Sequence, residues 1–416
     1  MIKFSDKKEC CGCNACVQRC PKQCIKMDAD NEGFYYPIID ISECIDCGLC
    51  EKVCPVINQV KPQLPIKVYA AYNKNEEVRL QSSSGGVFTL LAEETIKKGG
   101  VVFGVKFNEQ WMPEFSYTET IEGIEKFRGS KYAQAIVGNS YKQAEYFLKK
   151  GREVLFSGTP CQIAGLKRFL RNDFNNLLTV DIICHGIPSP KVWNMYLKET
   201  CLNLLKGFPD IAKTFDLKKN KTIEFCIESI NFRSKLTGWK TYSFQLKLNV
   251  LCCDEKKNLV LTEPYRQNKY ISAFINDIIL RPSCFACPSK EGKSHSDITI
   301  ADFWGIDKID ASFDDDKGCG LIFTNTNKGV NIINSIDVIF KEKCFSDGIK
   351  YNSAYYRSSK PHPNRRKFFD GFYKSENISD YIDEMHKLSF KDAIIVLIHR
   401  YLEAILRRIN IKRKLK

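Results

Sequence analysis

The stretch Cys10-Cys11-Gly12-Cys13-Asn14-Ala15-Cys16-Val17-Gln18-Arg19-Cys20-Pro21 decides how the front of the chain folds. Its spacing returns in Cys44-Ile45-Asp46-Cys47-Gly48-Leu49-Cys50-Glu51-Lys52-Val53-Cys54-Pro55. Both follow C-x2-C-x2-C-x3-C-P. Three thiolates this close can wrap one loop around three irons of a cubane, while the fourth, beside proline, turns to the other cluster. The rule assigns Cys10, Cys13, Cys16 and Cys54 to one [4Fe-4S] cluster, and Cys44, Cys47, Cys50 and Cys20 to a second. Zinc sites pair C-x2-C units at a distance and have no use for a lone cysteine before proline. Gly12 and Gly48 put a residue without Cβ beside a ligand in each loop. Either backbone N–H groups approach sulfur there or a turn is simply eased. Cys11 and Cys24 stand outside the repeat and are read as small buried residues.

Ten of the twenty cysteines fall before residue 55 of a 416-residue chain, which is too long for one ordinary core. Met1 to Glu9 is charged and has no apolar core, so no secretory signal is expected. Cysteines in such a chain point to thiolate ligands in a reducing cytoplasm. No apolar run reaches the roughly 18 residues of a membrane span. A net charge of +14 attracts nucleic acid, anionic membranes or acidic partners alike. Nucleic acid is set aside as a partner, because no helix-turn-helix, zinc-finger or RNA-binding signature accompanies the charge.

The expected fold class is α+β: a two-cluster ferredoxin fold over residues 1–60, a linker at 61–67, a larger α/β domain over 68–335 with a β-rich insertion, and a 336–416 extension ending in a helix. Gly33-Phe-Tyr-Tyr-Pro-Ile-Ile39 is a short strand, and Asn58 to Lys67, with two prolines, a connection. Strands are expected at Val68–Tyr72, Val101–Phe107, Val154–Phe156, Val180–Ile183 and Ile298–Ala301, and a core strand within Gly318–Thr326. Helices are expected at Val87–Lys98 and Ser140–Lys150, after the Thr159-Pro160 cap, and from Ser189-Pro190 through Leu205. Phe215 to Glu263 reads as hairpins of unreadable chemistry. Cys226, Cys252 and Cys253 there, like Cys201 before it, are taken as packing residues, and Cys319 is left without a role.

Four stretches resemble the family of coenzyme F-420 hydrogenase/dehydrogenase beta subunits: Gln81-Ser-Ser-Ser-Gly-Gly-Val-Phe88, Val154-Leu-Phe-Ser-Gly-Thr-Pro-Cys-Gln-Ile-Ala-Gly165, Asp181-Ile-Ile-Cys-His-Gly186 and Ser296-Asp-Ile-Thr-Ile-Ala-Asp-Phe-Trp-Gly305. With the ferredoxin motifs the resemblance spans Glu9 to Gly329. It implies a cytoplasmic iron-sulfur flavoprotein that passes electrons between one-electron carriers and a hydride acceptor or donor. Similar bacterial proteins sit in capsule or exopolysaccharide gene sets. The complete ferredoxin in front and the basic tail behind depart from the family's archetype. Cys161 and Cys184, each in a loop after a strand, and the C-x2-C of Cys284 and Cys287 supply four ligands for a third [4Fe-4S] cluster, as the resemblance also suggests. Zinc on the same four stays open, since C-x2-C with two distant cysteines also builds a tetrahedral site. His185 is a neighbour of that site or a satisfied core histidine.

The implied flavin, taken as FAD, is assigned to Ser82, Ser83, Ser84, Gly85 and Gly86 at a helix start, to Gly129, Ser130 and Lys131, and to Gly158 and Thr159. Backbone N–H groups at a helix start can hold a pyrophosphate, and the same turn can equally be a plain N-cap. Lys131 is the candidate cation beside the flavin ring, and Asp302, at a strand end before Phe303-Trp304, the candidate for binding or proton delivery. The expected partners are reduced ferredoxin or another redox protein and a small organic molecule. A non-catalytic electron-transfer subunit of a larger complex is the alternative. The apolar band Ile394, Leu397, Ile398, Tyr401, Leu402 and Ile405, with Arg400, Arg407, Arg408 and Lys412 to Lys416, suggests a basic amphipathic helix. It would dock on the core or touch the inner face of an anionic membrane.

Overall fold

In the computed structural model, residues 1–208, 224–252 and 255–387 are described. In chain order the strands are β1 (Ile25–Ala29), β2 (Tyr35–Ile39), β3 (Lys67–Asn73), β4 (Val101–Phe107), β5 (Pro113–Thr118), β6 (Val154–Gly158) and β7 (Leu177–Ile182). They continue as β8 (Glu224–Ser234), β9 (Ser243–Cys252), β10 (Glu255–Pro264), β11 (Ile298–Asp302), β12 (Gly320–Thr324) and β13 (Val338–Lys343). β1 and β2 form a small antiparallel ribbon in the ferredoxin module. An eight-stranded sheet runs in the order β13-β3-β12-β11-β7-β6-β4-β5, and β8, β9 and β10 make a separate antiparallel sheet.

The four adjacent strands β11, β7, β6 and β4 are parallel. Their sequences are mostly apolar because both faces are covered, with Thr179, Asp181 and Thr299 as buried polar exceptions. Val101, Phe103 and Phe156 pack with the helices Ser140–Lys149 and Pro160–Leu170, while Val102 and Leu155 point the other way to Leu91 and Ala92 of Val87–Lys97. The alternation follows from the two-residue period of a strand. All four carboxyl ends therefore open on one edge of the sheet, where loops must carry the chain away. That edge is where open α/β sheets place their ligands. β6 and β7 extend beyond the expected apolar runs, to Gly158 and back to Leu177, because the two strands pair from Val154↔Leu177 to Gly158↔Asp181. The antiparallel edge strands β5 and β13 carry weaker patterns and lie outside the expected elements.

The connection Asn58–Lys67 has no regular structure before β3, yet it is pinned. Gln63 N–H donates to the Glu291 carbonyl at 3.0 Å, Gln63 Nε2 to the Asn325 carbonyl at 2.7 Å, and Arg168 reaches the Asn58 carbonyl at 2.6 Å. The ferredoxin module is further tied down by Gln18, whose Oε1 accepts from the N–H groups of Tyr141 and Lys142 at the start of the helix Ser140–Lys149. Arg365 forms a bidentate pair with Glu32 at 3.2 and 2.5 Å. Cys201 packs in the core as expected, whereas Cys226 lies exposed on β8 and is not a packing residue. The basic helix expected near Ile394–Ile409 and Cys253 lie outside the described residues. Among the described residues no helix is long and apolar enough to cross a membrane.

Candidate functional site

The ferredoxin cysteines gather as the crossover rule requires. Cys10, Cys13, Cys16 and Cys54 surround one cavity, and Cys20, Cys44, Cys47 and Cys50 surround another. Each cavity takes three cysteines from one loop and the proline-flanked cysteine from the other, so the two halves share their sites. Asn14 and Gly48, both left-handed at φ 67° and 68°, start the short helices Ala15–Arg19 and Leu49–Lys52 that carry the third cysteine of each loop. Ile2 N–H approaches Cys50 Sγ at 3.3 Å. Cys24 is buried beside the second site, its sulfur 3.4 Å from that of Cys20.

The second gathering lies at the carboxyl ends of β6 and β7. Thr159 and Gln162 form a capping box around Pro160, which fixes Cys161 in the first turn of its helix. Cys184 sits in the loop after β7. Arg281 N–H donates to the Ile187 carbonyl at 2.8 Å and Ser189 N–H to the Ile279 carbonyl at 2.9 Å, drawing the segment that bears Cys284 and Cys287 alongside that loop. All four cysteines line one pocket that opens to solvent. Among the described residues no three His, Cys, Asp or Glu side chains close on a point as a single ion needs. Ile187 N–H approaches Cys284 Sγ at 3.3 Å, and Thr159 Oγ1 lies 3.3 Å from Cys161 Sγ. Burial pushes the Cys184 thiol up to about 12 and raises those of Cys284 and Cys287. Metal binding at these thiols therefore has to displace protons. His185 Nε2 lies 2.8 Å from Asp277 Oδ1 and its ring packs edge-on to Phe274, but neither of the two facing atoms makes a hydrogen bond, so the histidine is not a satisfied one.

One residue joins the two gatherings. Cys11, read from the repeat as a spare, lines both the cavity of Cys10, Cys13, Cys16 and Cys54 and that of Cys161, Cys184, Cys284 and Cys287. Its thiol interacts with those of Cys13 and Cys161. No spacing rule could have shown this, because the contact spans two modules.

The residues assigned to flavin converge in part. Ser83 Oγ and Ser130 Oγ are 2.9 Å apart, and Ser130 N–H donates to Ser83 Oγ at 2.8 Å, so the two turns do meet. The other hydroxyls are spent on the fold: Ser82 on the Val78 carbonyl and Ser84 on the Cys319 carbonyl. Gly85 is not held clear for a ligand. A Cβ there would stand 2.4 Å from the Ala71 carbonyl oxygen and 2.7 Å from Gly320 N. Gly86 has φ +77° and precedes the helix Val87–Lys97, so both glycines serve strand and helix packing. Around Gly129 a Cβ would meet open space. Lys131 Nζ donates to the carbonyls of Arg128 and Gly129, and burial lowers its pKa to about 7. Gly158 and Thr159 lie at the β6 end beside Cys161 rather than with the serine turn.

Asp302 is committed elsewhere. Both its oxygens accept from Arg233 at 2.8 and 3.0 Å, and Trp239 Nε1 adds a third bond at 2.8 Å. The carboxylate expected to bind or deliver protons is thus half of a buried ion pair. Arg233 stands on β8 next to Phe232, which packs on Tyr132, so the insertion bridges the Lys131 turn and the Asp302 strand end. Lys235 Nζ donates to the carbonyls of Arg79, Ser84 and Lys317 and pins the serine turn from the same side. Sequence reasoning missed Arg233, Lys235 and Trp239. Their only signal was an interrupted strand pattern.

Residues 68–140 match the amino-terminal part of the coenzyme F420 hydrogenase/dehydrogenase beta subunit, and residues 151–340 match its carboxyl-terminal part. Residues 9–58 match the 4Fe-4S dicluster domain. The F(420)H(2) dehydrogenase of Methanosarcina mazei has a component, its F subunit, that is 25% identical over 213 residues, which cover 47% of this chain and 60% of that protein. An uncharacterized protein of Methanocaldococcus jannaschii is 26% identical over 204 residues, covering 42% and 56%. The chain thus spans a little over half the length of these curated relatives. A 7Fe ferredoxin of Hydrogenibacillus schlegelii is 52% identical over 42 residues, 10% of this chain and 47% of the ferredoxin. A chain from the F420-reducing [NiFe] hydrogenase complex of Methanosarcina barkeri aligns with a TM-score of 0.42 and 15% identity, over 78% of this chain and 91% of that one. With both parts of the family matched in order behind a dicluster domain, the chain belongs to the family of coenzyme F420 hydrogenase/dehydrogenase beta subunits.

Proposed function

We propose that this protein is an electron-transfer component of a redox complex, with a third [4Fe-4S] cluster on Cys161, Cys184, Cys284 and Cys287 beyond the two of the ferredoxin module. The observation that carries the reading is the wall that Cys11 forms between the first ferredoxin cavity and the third cavity. Thiolate-bound clusters, when present, take up and release single electrons. The chain's own contribution is order and spacing. Cys47 is exposed, so the second ferredoxin site faces outward to a partner protein. The first site lies between it and the main sheet, and the third opens on the sheet's carboxyl edge. Four thiols around one pocket match the ligand number of a cubane as well as of tetrahedral zinc, so metal content decides between them.

The test is chemical. Anaerobically purified protein is expected to hold about twelve iron and twelve sulfide, four of each per cluster. Changing Cys284 and Cys287 to alanine together should remove about four of each while the ferredoxin signals persist. About eight iron in the unmodified protein, or loss of zinc with unchanged iron, would overturn the third cluster.

A flavin reading accompanies this one on a specific observation, the meeting of the Ser83 and Ser130 turns beside the desolvated Lys131. A bound flavin would couple single electrons to hydride transfer. Because Gly85 and Gly86 are needed by the fold, the informative substitution is Gly129→Asn, whose side chain enters open space and whose backbone tolerates the left-handed φ of +78°. Loss of yellow colour with full iron supports flavin at this turn. A colourless unmodified protein, reoxidised only by a second protein, leaves the electron-transfer component alone.

A further inference from the structure

Arg281 is a buried cation without a carboxylate. The residue is 1% exposed, and among the described residues it has no acidic side chain within ion-pair reach. Its backbone belongs to the third site: its N–H donates to the Ile187 carbonyl, its carbonyl accepts from Cys284 N–H at 2.9 Å, and it lines that cavity. Its side chain belongs to the ferredoxin module. Nε donates to the Cys10 carbonyl at 3.0 Å, Nη1 to Gln134 Oε1 at 3.1 Å, and the guanidinium lies 4.0 Å over the Tyr36 ring. Nη2 is buried and has no hydrogen-bond partner.

Taking a guanidinium out of water costs several kcal/mol unless an anion answers it. Carbonyls, an amide and a ring supply only partial charge. Arg281 is therefore built for an anion that protein side chains do not provide. A [4Fe-4S] cube with four thiolates is negative in both oxidation states, and gains one more negative charge on accepting one electron. The chain has also cleared room for the cation. Gly12 is left-handed at φ +71°, and a Cβ on it would come within 3.1 Å of Arg281 Cζ and 2.6 Å of Gln134 Nε2. Here the glycine admits the guanidinium, an option that the spacing of the loop did not suggest.

We propose that Arg281 is the shared counter-charge of the first ferredoxin cluster and the third cluster, favouring the reduced form of both and leaving the outer ferredoxin cluster untouched. The inference rests on the third cluster proposed above. It identifies Arg281 as an electrostatic, positioning residue and not as a ligand.

The test uses the full chain, purified anaerobically and titrated with dithionite while each centre is followed by its paramagnetic signal. Arg281→Gln should lower the equilibrium constant for reduction about tenfold at the first and third centres, a shift of about 59 mV for one electron. The outer centre should stay put. Arg281→Lys, which keeps the charge and loses the planar fork, should return both centres close to their original potentials. Unchanged potentials in fully loaded Arg281→Gln would reduce the residue to a strut between Cys10 and Gln134. If Arg281→Gln loses iron, Arg281→Lys decides: potentials near the original support the counter-charge, and a tenfold loss overturns it. If the unmodified protein holds only about eight iron, the third cluster fails separately, and the first centre alone then judges Arg281.

Discussion

The two ferredoxin loops share one cysteine spacing and live in opposite surroundings. The loop of Cys10, Cys13 and Cys16 is wedged against the main sheet. Gly165, on the helix that begins beside Cys161, lets that helix approach so closely that a Cβ would stand 2.8 Å from Cys13 Cβ and 3.1 Å from the Tyr141 hydroxyl. The loop of Cys44, Cys47 and Cys50 looks outward, with Cys47 and Ile45 exposed. The glycine beside the second cysteine of each loop, Gly12 before Cys13 and Gly48 after Cys47, records the difference. Gly12 is crowded by Gln134 and Arg281, whereas a Cβ on Gly48 would meet nothing within 4 Å. A repeat in sequence is thus read locally as two equal cluster loops, and its inward half has been adapted as a contact between modules.

The comparison breaks most readily at the glycines. Gly12→Ala is expected to cost about 2–4 kcal/mol, from a left-handed residue plus overpacking against a buried guanidinium. Gly48→Ala carries the backbone strain alone, about 1–2 kcal/mol. Thermal denaturation of the loaded protein measures both, and equal losses would mean that the inner loop is no more constrained than the outer.

Gly165→Ala sharpens the same contrast from the other side. Alanine in a helix interior normally gains about 1 kcal/mol over glycine. Here the crowding at Cys13 should outweigh that gain by about 1 kcal/mol and loosen the ferredoxin module. Faster proteolytic cutting within residues 58–67 would report it. A variant more stable than the original would show that the two modules are not in tight contact.

The smallest effect extends the contrast to Lys131, a half-buried cation that, unlike Arg281, can lose its proton. Burial lowers its pKa from 10.5 to about 7, so between those values the unfolded chain holds a proton that the folded one does not. The destabilisation is therefore full below about pH 7 and is relieved as pH rises toward 10.5. Lys131→Met should raise stability by about 1 kcal/mol at about pH 6, with the gain shrinking by about pH 9. Denaturation at the two pH values checks the sign. A loss of stability at the lower pH would assign the ammonium a structural role through the Arg128 and Gly129 carbonyls.

Much of the main sheet was legible. Val101–Phe107 and Ile298–Ala301 appear as strands close to their expected bounds, and Thr159-Pro160 caps its helix as read. Strong apolar runs and side-chain caps are local signals, and they survive into the fold. Asp302 illustrates the opposite case. Its position at a strand end before aromatic residues was visible, but its partner Arg233 lies 69 residues earlier on β8, so its commitment to an ion pair was not. The packing role of Gly85 was hidden for the same reason, since the strands that crowd it are β3 and β12.

The amino-acid sequence by itself determined the two ferredoxin sites, because each cluster loop is closed by cysteines within a few residues and the crossing ligand is marked by its proline. It also determined which four later cysteines were candidates for a shared site, since strand-end loops and a C-x2-C are local patterns. Only the tertiary structure decided that those four line one cavity, that Cys11 walls it from the first ferredoxin site, and that Arg281 lies between the modules with no acid among the described residues to answer it. The physical reason is range. Spacing rules act over a turn or a loop, whereas burial and charge balance are set by whatever the fold brings alongside, here residues as far apart as Cys10 and Arg281, separated by 271 positions.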